Sequence, residues 1–354
     1  YHFDPKRTFR FVLSKLKFKT WITSTIEIIK IGLPGASMGF FNVLLIYVMN
    51  LIIGGVLGEL GLDIFNVCVV ALLIISILIM GFAETLSSIV PIYYAQNDFY
   101  NLHHIVRNSV IIALICSLIF TAFLLVYPDG LLMFFKLHQT ANDGLVENAI
   151  RIYSLAFIPM AFSTMLLFYY EGIERTIESG IITIISEFLG PLMFTYLLYP
   201  YIGITSVWLS FPLGFILSIV AVAVYVKIVE RNDSEYYGLF FIKKGLIEKT
   251  RNYTLESRND DMKSEMFNHL KSLNVDGSSI ETLDNIINTI FDSNNDKVHV
   301  EILLIDYGDK ISINMKDEGK REAMKDIEKS FSQDNIKVSE VLGLNNIEYV
   351  INRH

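Results

Sequence analysis

Two carboxylates sit inside long apolar stretches of this 354-residue chain: Glu84, in Met80-Gly-Phe-Ala-Glu-Thr85, and Glu187, in Ile185-Ser-Glu-Phe-Leu-Gly-Pro191. An uncompensated charge at mid-bilayer costs about 2.5–3.5 kcal/mol on insertion scales, so such groups usually face a cavity or a partner. Two chemistries fit them. A desolvated carboxylate can take up a proton or Na⁺. Alternatively, the carboxylate is hydrogen-bonded to a neighbouring helix or lies nearer the interface, and serves packing. Asn42, near the middle of the first apolar stretch, cannot titrate, but like Asn50 it can hydrogen-bond across helices. Glu171, Glu174 and Glu178 cluster at a turn and read as solvated. No His/Cys cluster has metal-ligand spacing, and Cys68 and Cys116 read as small buried hydrophobes.

The elements that must position these groups are membrane spans. The chain is 52% hydrophobic and 19% charged, with mean hydropathy +0.45, against about 25% charged residues in an average soluble domain. Ile31 to Leu57 carries no charge, and at ~1.5 Å per residue it exceeds a hydrocarbon core of ~30 Å. Spans are predicted at 26–50, 63–94, 105–128, 148–171, 177–200 and 204–229. Residues 1–30 are basic, with Lys6, Arg7, Arg10, Lys15, Lys17, Lys19 and Lys30 against Asp4 and Glu27. Arg107, Arg175, Arg231, Lys243, Lys244 and Lys249 fall at or near the loops on the same side, whereas the opposite loops carry only Lys136. The positive-inside rule therefore places both termini in the cytoplasm of a multi-pass protein of the plasma (cytoplasmic) membrane. The first residue is Tyr1, and we expect further chain upstream.

Beyond the last span the composition changes. From Arg251 to His354 there are 20 Asp/Glu and 13 Lys/Arg, an acidic balance that argues against nucleic acid as a partner. Helices are predicted at 262–273 and 280–291, strands at 298–305 and 310–315 around a turn at Asp306-Tyr-Gly-Asp309, and a closing helix at 338–351. The expected fold class is an all-α polytopic membrane domain of six transmembrane helices followed by a small cytoplasmic α+β sandwich domain. The expected division is a basic interfacial segment at 1–25, a six-span lobe at 26–230, an interfacial linker at 231–252 and the cytoplasmic domain at 253–354.

Three segments resemble the second half of multidrug and toxic compound extrusion (MATE) transporters. They are Lys30-Ile-Gly-Leu-Pro34, Gly81-Phe-Ala-Glu-Thr-Leu-Ser-Ser-Ile-Val-Pro-Ile-Tyr-Tyr-Ala-Gln96 and Gly203-Ile-Thr-Ser-Val-Trp-Leu-Ser-Phe-Pro212. That family has twelve spans in two six-span lobes and exports organic cations and other drugs by antiport with Na⁺ or H⁺. The resemblance implies that this chain supplies the second lobe, with the first lying upstream or on another polypeptide. It further implies small amphipathic, cationic substrates and no enzymatic reaction. Many relatives carry a membrane-embedded Glu eight residues after the opening proline; here that position is Asn42. If the lobe couples ions at all, Glu84 or Glu187 must substitute, or the coupling site lies in the other lobe.

The tail resembles the ATP-binding domain of histidine kinases and anti-sigma serine kinases. Glu281-Thr-Leu-Asp-Asn285 matches the N-box, which implies Mg²⁺ held by Asn285 and assistance from Glu281. Asp317-Glu-Gly-Lys-Arg321 and Val341-Leu-Gly-Leu344 match the two glycine boxes, which implies adenine read by Asp317 beside Gly319 and Gly343. Arg321 and Val341 replace expected glycines, and a side chain at either place obstructs the backbone's approach to nucleotide. A degenerate regulatory domain is therefore expected in preference to an ATPase. Two other functions stay open: a flippase of lipid-linked saccharides on the same architecture, and a membrane sensor with an ATP-binding output domain.

Overall fold

A computed structural model describes residues 18–135, 144–232, 236–240, 242–243, 249–258, 260–294, 298–319, 321–330, 335–341 and 344–352. Gly343, expected in a nucleotide box, lies outside the described residues. Two compact units are present, one made of residues 1–87 and 109–225, the other of 88–108 and 226–354.

The first unit is helical. Helix α1 spans Phe18–Ala95 with one non-helical residue, Gly58 (φ 62°, ψ −147°). That positive φ is cheap only for glycine. The loop expected over 51–62 is therefore not a loop: the helix continues on both sides of a one-residue break. There follow α2 (Phe99–Val126), the short α3 (Asp129–Phe135), α4 (Leu145–Ser154), α5 (Phe157–Gly172), α6 (Thr176–Ile184), a π-helical turn at Ile185–Leu189, α7 (Gly190–Ile202) and α8 (Thr205–Asn232).

Among the described residues, five stretches are long and apolar enough to cross a membrane: Ala36–Ala95, Phe99–Val126, Leu145–Gly172, Thr176–Ile202 and Thr205–Arg231. The core is built from Leu45, Met49, Phe65, Cys68, Tyr153, Phe157, Trp208 and Phe211. Large apolar side chains such as Phe40, Val43, Ile77, Ile119 and Leu197 point outward. Such a surface suits hydrocarbon, where helices satisfy their own backbone groups, and not water. This is a multi-pass membrane domain.

In the second unit a five-stranded sheet has the order β3-β4-β5-β7-β6, with every neighbouring pair antiparallel. Its strands are β3 (Thr250–Leu255), β4 (Val300–Asp306), β5 (Lys310–Asp317), β6 (Ile336–Val341) and β7 (Leu344–Asn352); β1 (Tyr236–Tyr237) and β2 (Ile242–Lys243) form a separate pair. Helices α9 (Asp261–Ser272), α10 (Gly277–Ser293) and α11 (Arg321–Ser330) also belong to the unit. Asp260 caps α9 by accepting from the Met262 N–H, and Asp276 caps α10 by accepting from the Ser279 N–H at 3.1 Å. Met266 and Leu270 of α9, Ile286, Ile287 and Ile290 of α10 and Ile327 of α11 pack with Ile302, Leu304, Ile313, Met315 and Ile347 of the sheet.

The helix expected at 338–351 is absent; β6 and β7 occupy that segment. Val341, Leu344, Ile347 and Val350 have helical spacing, but Ile347, Tyr349 and Ile351 alternate as a strand does. Pairing with β5 on one side and β6 on the other decides for strand.

Candidate functional site

Asn42 and Glu187 meet. The Asn42 Nδ2 donates to Glu187 Oε2 at 3.0 Å, across 145 positions of sequence. Ser186 Oγ approaches the other carboxylate oxygen at 3.5 Å. The Glu187 side chain is 8% exposed, on the π-helical turn between α6 and α7. The local sequence accounts for that turn. Pro191 has no N–H, so the Glu187 carbonyl loses the donor four residues ahead that an α-helix would supply. A widened turn upstream of the proline re-registers the ladder, and such π turns are frequent at functional sites.

The carboxylate faces a cavity of about 380 Å³, within the size range of small-molecule sites. Helical spacing explains how each wall forms. Met38, Asn42, Leu45 and Ile46 come from α1 before Gly58, and Val69, Leu72, Leu73, Ser76 and Met80 from α1 after it. Met160 and Thr164 come from α5, and Phe211 and Phe215 from α8. The cavity is therefore an apolar, methionine- and phenylalanine-rich chamber with one carboxylate, one amide and three hydroxyls. Such a lining suits an organic body with a cationic group, and its carboxylate can also hold a proton or a small cation.

The wall is fixed by close packing. A Cβ on Gly190 would come within 2.7 Å of Gly214 Cα, and one on Gly214 within 2.7 Å of Pro191 Cδ. The start of α7 therefore touches α8 backbone to backbone, as small residues allow between membrane helices. Ser163 and Ser218 share a buried hydrogen bond of 3.0 Å between α5 and α8. Phe211 packs with tilted rings against Tyr153 at 4.6 Å and Phe65 at 6.0 Å between ring centroids.

Glu84 stands apart: it is exposed on the second half of α1 and does not line the cavity. Sequence reasoning missed Ser76, Thr164, Ser186, Phe211 and Phe215. Their signal was the i, i+4 spacing of Met160/Thr164 and Phe211/Phe215, which reads equally as core.

In the second unit the expected nucleotide-box residues are placed as follows. Glu281 and Asn285 are exposed on α10. Asp317, 2% exposed, accepts from the Gly319 N–H at 2.7 Å and from Asn345 Nδ2 at 2.8 Å; the same amide of Asn345 donates to the Gly319 carbonyl at 3.0 Å. The Asn294 side-chain amide fills the space beside Gly319. Burial pushes the Asp317 carboxyl above the usual carboxylate range, against the two hydrogen bonds that lower it. Val341 and Leu344, the described ends of the segment expected to form the second glycine box, are cross-strand partners in β6 and β7, so among the described residues no helix N-terminus meets a phosphate there. Among the described residues no group of three His, Cys, Asp or Glu is placed to hold a metal ion.

The helices and cavity define a polytopic membrane domain with a buried carboxylate facing an apolar chamber. The MatE family model matches residues 34–197, a stretch that includes both Asn42 and Glu187. Solved structures of similar fold include MATE in complex with MaL6, at 18% identity and TM-score 0.55, covering 63% of this chain and 50% of that one. An outward-facing multidrug resistance MATE family transporter of the MOP superfamily aligns at 17% identity and TM-score 0.53, with 63% and 50% covered. A MOP superfamily transporter from Pyrococcus furiosus, described as having a binding pocket of reverse polarity, aligns at 18% identity and TM-score 0.53, with the same coverage. These identities speak to the fold. The chain spans about half the length of the solved transporters it matches. No curated protein matches the sequence.

Proposed function

We propose that this chain contributes one six-span lobe of a secondary active exporter, with a regulatory domain at its C-terminal end. Counting α1 as two spans that meet at Gly58 gives the six. The partner lobe comes from further sequence upstream or from a second polypeptide, and substrate moves by alternating access between lobes. The substrates are small amphipathic organic compounds with cationic character. In this reading both termini are cytoplasmic and the membrane is the plasma membrane; the Lys/Arg bias of the loops supports the orientation.

The observation that carries this reading is the buried Glu187, held by Asn42 at the wall of an apolar cavity. Binding H⁺ or Na⁺ there neutralises the one acidic group among the described lining residues, and cationic substrate competes for the same carboxylate. That competition is the physical basis of antiport. Lipid-linked saccharide flippases of the wider superfamily are served by basic cavities, and among the described residues the lining has neither Lys nor Arg, which speaks for the exporter. In the tail, Asp317 is engaged by Asn345 and Gly319, which speaks for a regulatory domain over a nucleotide-binding output.

The test is efflux of a cationic dye by the full-length protein in proteoliposomes under an imposed H⁺ or Na⁺ gradient. Wild type should export dye under at least one gradient; no flux under either would overturn the exporter reading. Glu187→Gln should remove the dependence of rate on the gradient, leaving less than twofold difference across it. Glu84→Gln should behave as wild type. An unchanged gradient dependence in Glu187→Gln would assign that carboxylate to packing.

A further inference from the structure

The short connection between α1 and α2 carries more chemistry than a tight turn needs. Asn97 takes a left-handed conformation (φ 56°), which asparagine tolerates better than most residues. The Asp98 N–H donates to the Tyr93 carbonyl at 3.0 Å and the Asn97 N–H to the Tyr94 carbonyl at 3.1 Å. These two bonds are a Schellman stop for α1. Asp98 then starts α2: its Oδ1 accepts from the Asn101 N–H at 3.2 Å and its Oδ2 from Asn101 Nδ2 at 3.0 Å. Helix stop and helix start are thus adjacent residues, which leaves the turn little freedom of its own.

The same Asp98 Oδ2 also accepts from Lys316 Nζ at 3.0 Å, and the two side chains are 1% and 6% exposed. Lys316 lies on β5, and its ammonium sits 4.3 Å from the centroid of the Tyr93 ring, a cation–π distance. Asn97 Nδ2 donates to the Tyr307 hydroxyl at 3.2 Å, from the turn between β4 and β5. The face of the sheet that bears Lys316 is not the one packed on α9, α10 and α11. Leu303, Ile305, Ser312, Asn314 and Asn346, which share that second face by strand alternation, are buried as well. An antiparallel sheet with one wet face would leave these residues polar and exposed. Consistently, residues 88–108 fall in the same compact unit as the sheet.

We propose that the α1–α2 turn is the seat on which the tail domain docks, that the Asp98–Lys316 pair is its latch, and that through it the tail controls the helices on either side. The proposal rests on the reading of the membrane region as a transporter. A lysine in the middle of a buried sheet face is unfavourable unless a carboxylate meets it. Latched, the turn moves with the sheet; α1 and α2, which continue from it without a linker, must follow. Domain position and helix position become one variable.

The test uses the full-length protein with two readouts: amide hydrogen exchange over 88–108 and 109–126, and dye efflux. Asp98→Ser keeps a side-chain cap for α2 and removes the charge. Lys316→Met removes the other partner and Lys316→Arg keeps it. Tyr307→Phe is a mild variant that keeps the fold if the others do not. Asp98→Ser and Lys316→Met should each speed exchange over 88–108 tenfold or more, with faster exchange over 109–126 and an efflux rate at least threefold different from wild type. The double variant should be no worse than either single one, Lys316→Arg should stay near wild type, and Tyr307→Phe should show a smaller effect of the same kind. Lys329→Met, on the exposed face of α11, is the control. Unchanged exchange over 88–108 in the singles and in Tyr307→Phe overturns the latch. A rise confined to the turn, with exchange over 109–126 and efflux as in wild type, overturns the control function. If wild type exports no dye, the exporter reading falls, while exchange over 88–108 still decides the latch and exchange over 109–126 the control function.

Discussion

At the scale of residues, Asn42 and Glu187 were each legible as polar groups in apolar sequence, and the bond between them was not. Nothing in local sequence tells that two positions 145 residues apart are 3.0 Å apart; packing of α1 against the π turn decides it. Asn42→Leu should remove one hydrogen bond to a charged group, a loss of about 1.5–3 kcal/mol, read as lower thermal stability in detergent. In a Glu187→Gln background the same change should cost clearly less, because the two residues share one interaction. Asp317 gives a second prediction at this scale, with its sign set by burial. Its folded pKa lies above the ordinary value of about 3.9. Between those two values the folded state binds more protons than the unfolded one. Its contribution to stability is therefore full below the ordinary value and is lost as pH rises towards the folded value. Amide exchange of β5 measured across that window should show protection falling as pH rises, and Asp317→Asn should flatten the dependence.

At the scale of elements, the spans and α9 and α10 follow from apolar periodicity and from caps such as Asp276 that any reader of the sequence can find. Hydrogen bonds from Ser278 and Ser279 hold the Asp276 carboxyl down at about 2, which marks it as a cap that stays ionised through the physiological range. What periodicity could not settle was the last segment, 338–351, where one residue set fits a helix and an overlapping set fits a strand. Cross-strand partners, which are non-local, settled it. The interruption between the predicted spans 26–50 and 63–94 was legible, but not that it narrows to Gly58 alone, because Gly54, Gly55 and Gly61 stand close by and residue type does not say which glycine takes the positive φ. Gly214, like Gly190 against which it packs, is predicted to resist replacement. Gly214→Ala sets a methyl against Pro191 at 2.7–3.0 Å, and overpacking of this kind typically costs 1–3 kcal/mol. A lowered melting temperature in detergent checks it; a melting temperature equal to that of wild type would show that α8 moves aside freely.

At the scale of the whole molecule, the membrane unit has the fold of about half of a larger transporter, and the second unit joins a C-terminal sheet to residues 88–108. Composition foretold two populations of residues along the chain, apolar then acidic. It did not foretell that a piece of the apolar population would belong with the acidic one, since that requires knowing that Lys316 reaches Asp98. The nucleotide boxes illustrate the same limit. Their residue types are present, yet Asp317 is bonded to Asn345, a cross-strand neighbour in β7 that only the sheet register supplies.

The π turn at Ile185–Leu189 also sets the phase of the span that contains it. An α-helix advances about 100° per residue, and a π turn accommodates roughly one residue more than the ladder around it needs. Everything before the turn is thus rotated by about one residue relative to everything after it. Ser186 and Glu187 are aimed at the chamber, while Thr195, past the turn, makes its contact with Met49 of α1 at 3.9 Å. The span behaves as two splined shafts joined one tooth out of step, and the carboxylate rides on the coupling.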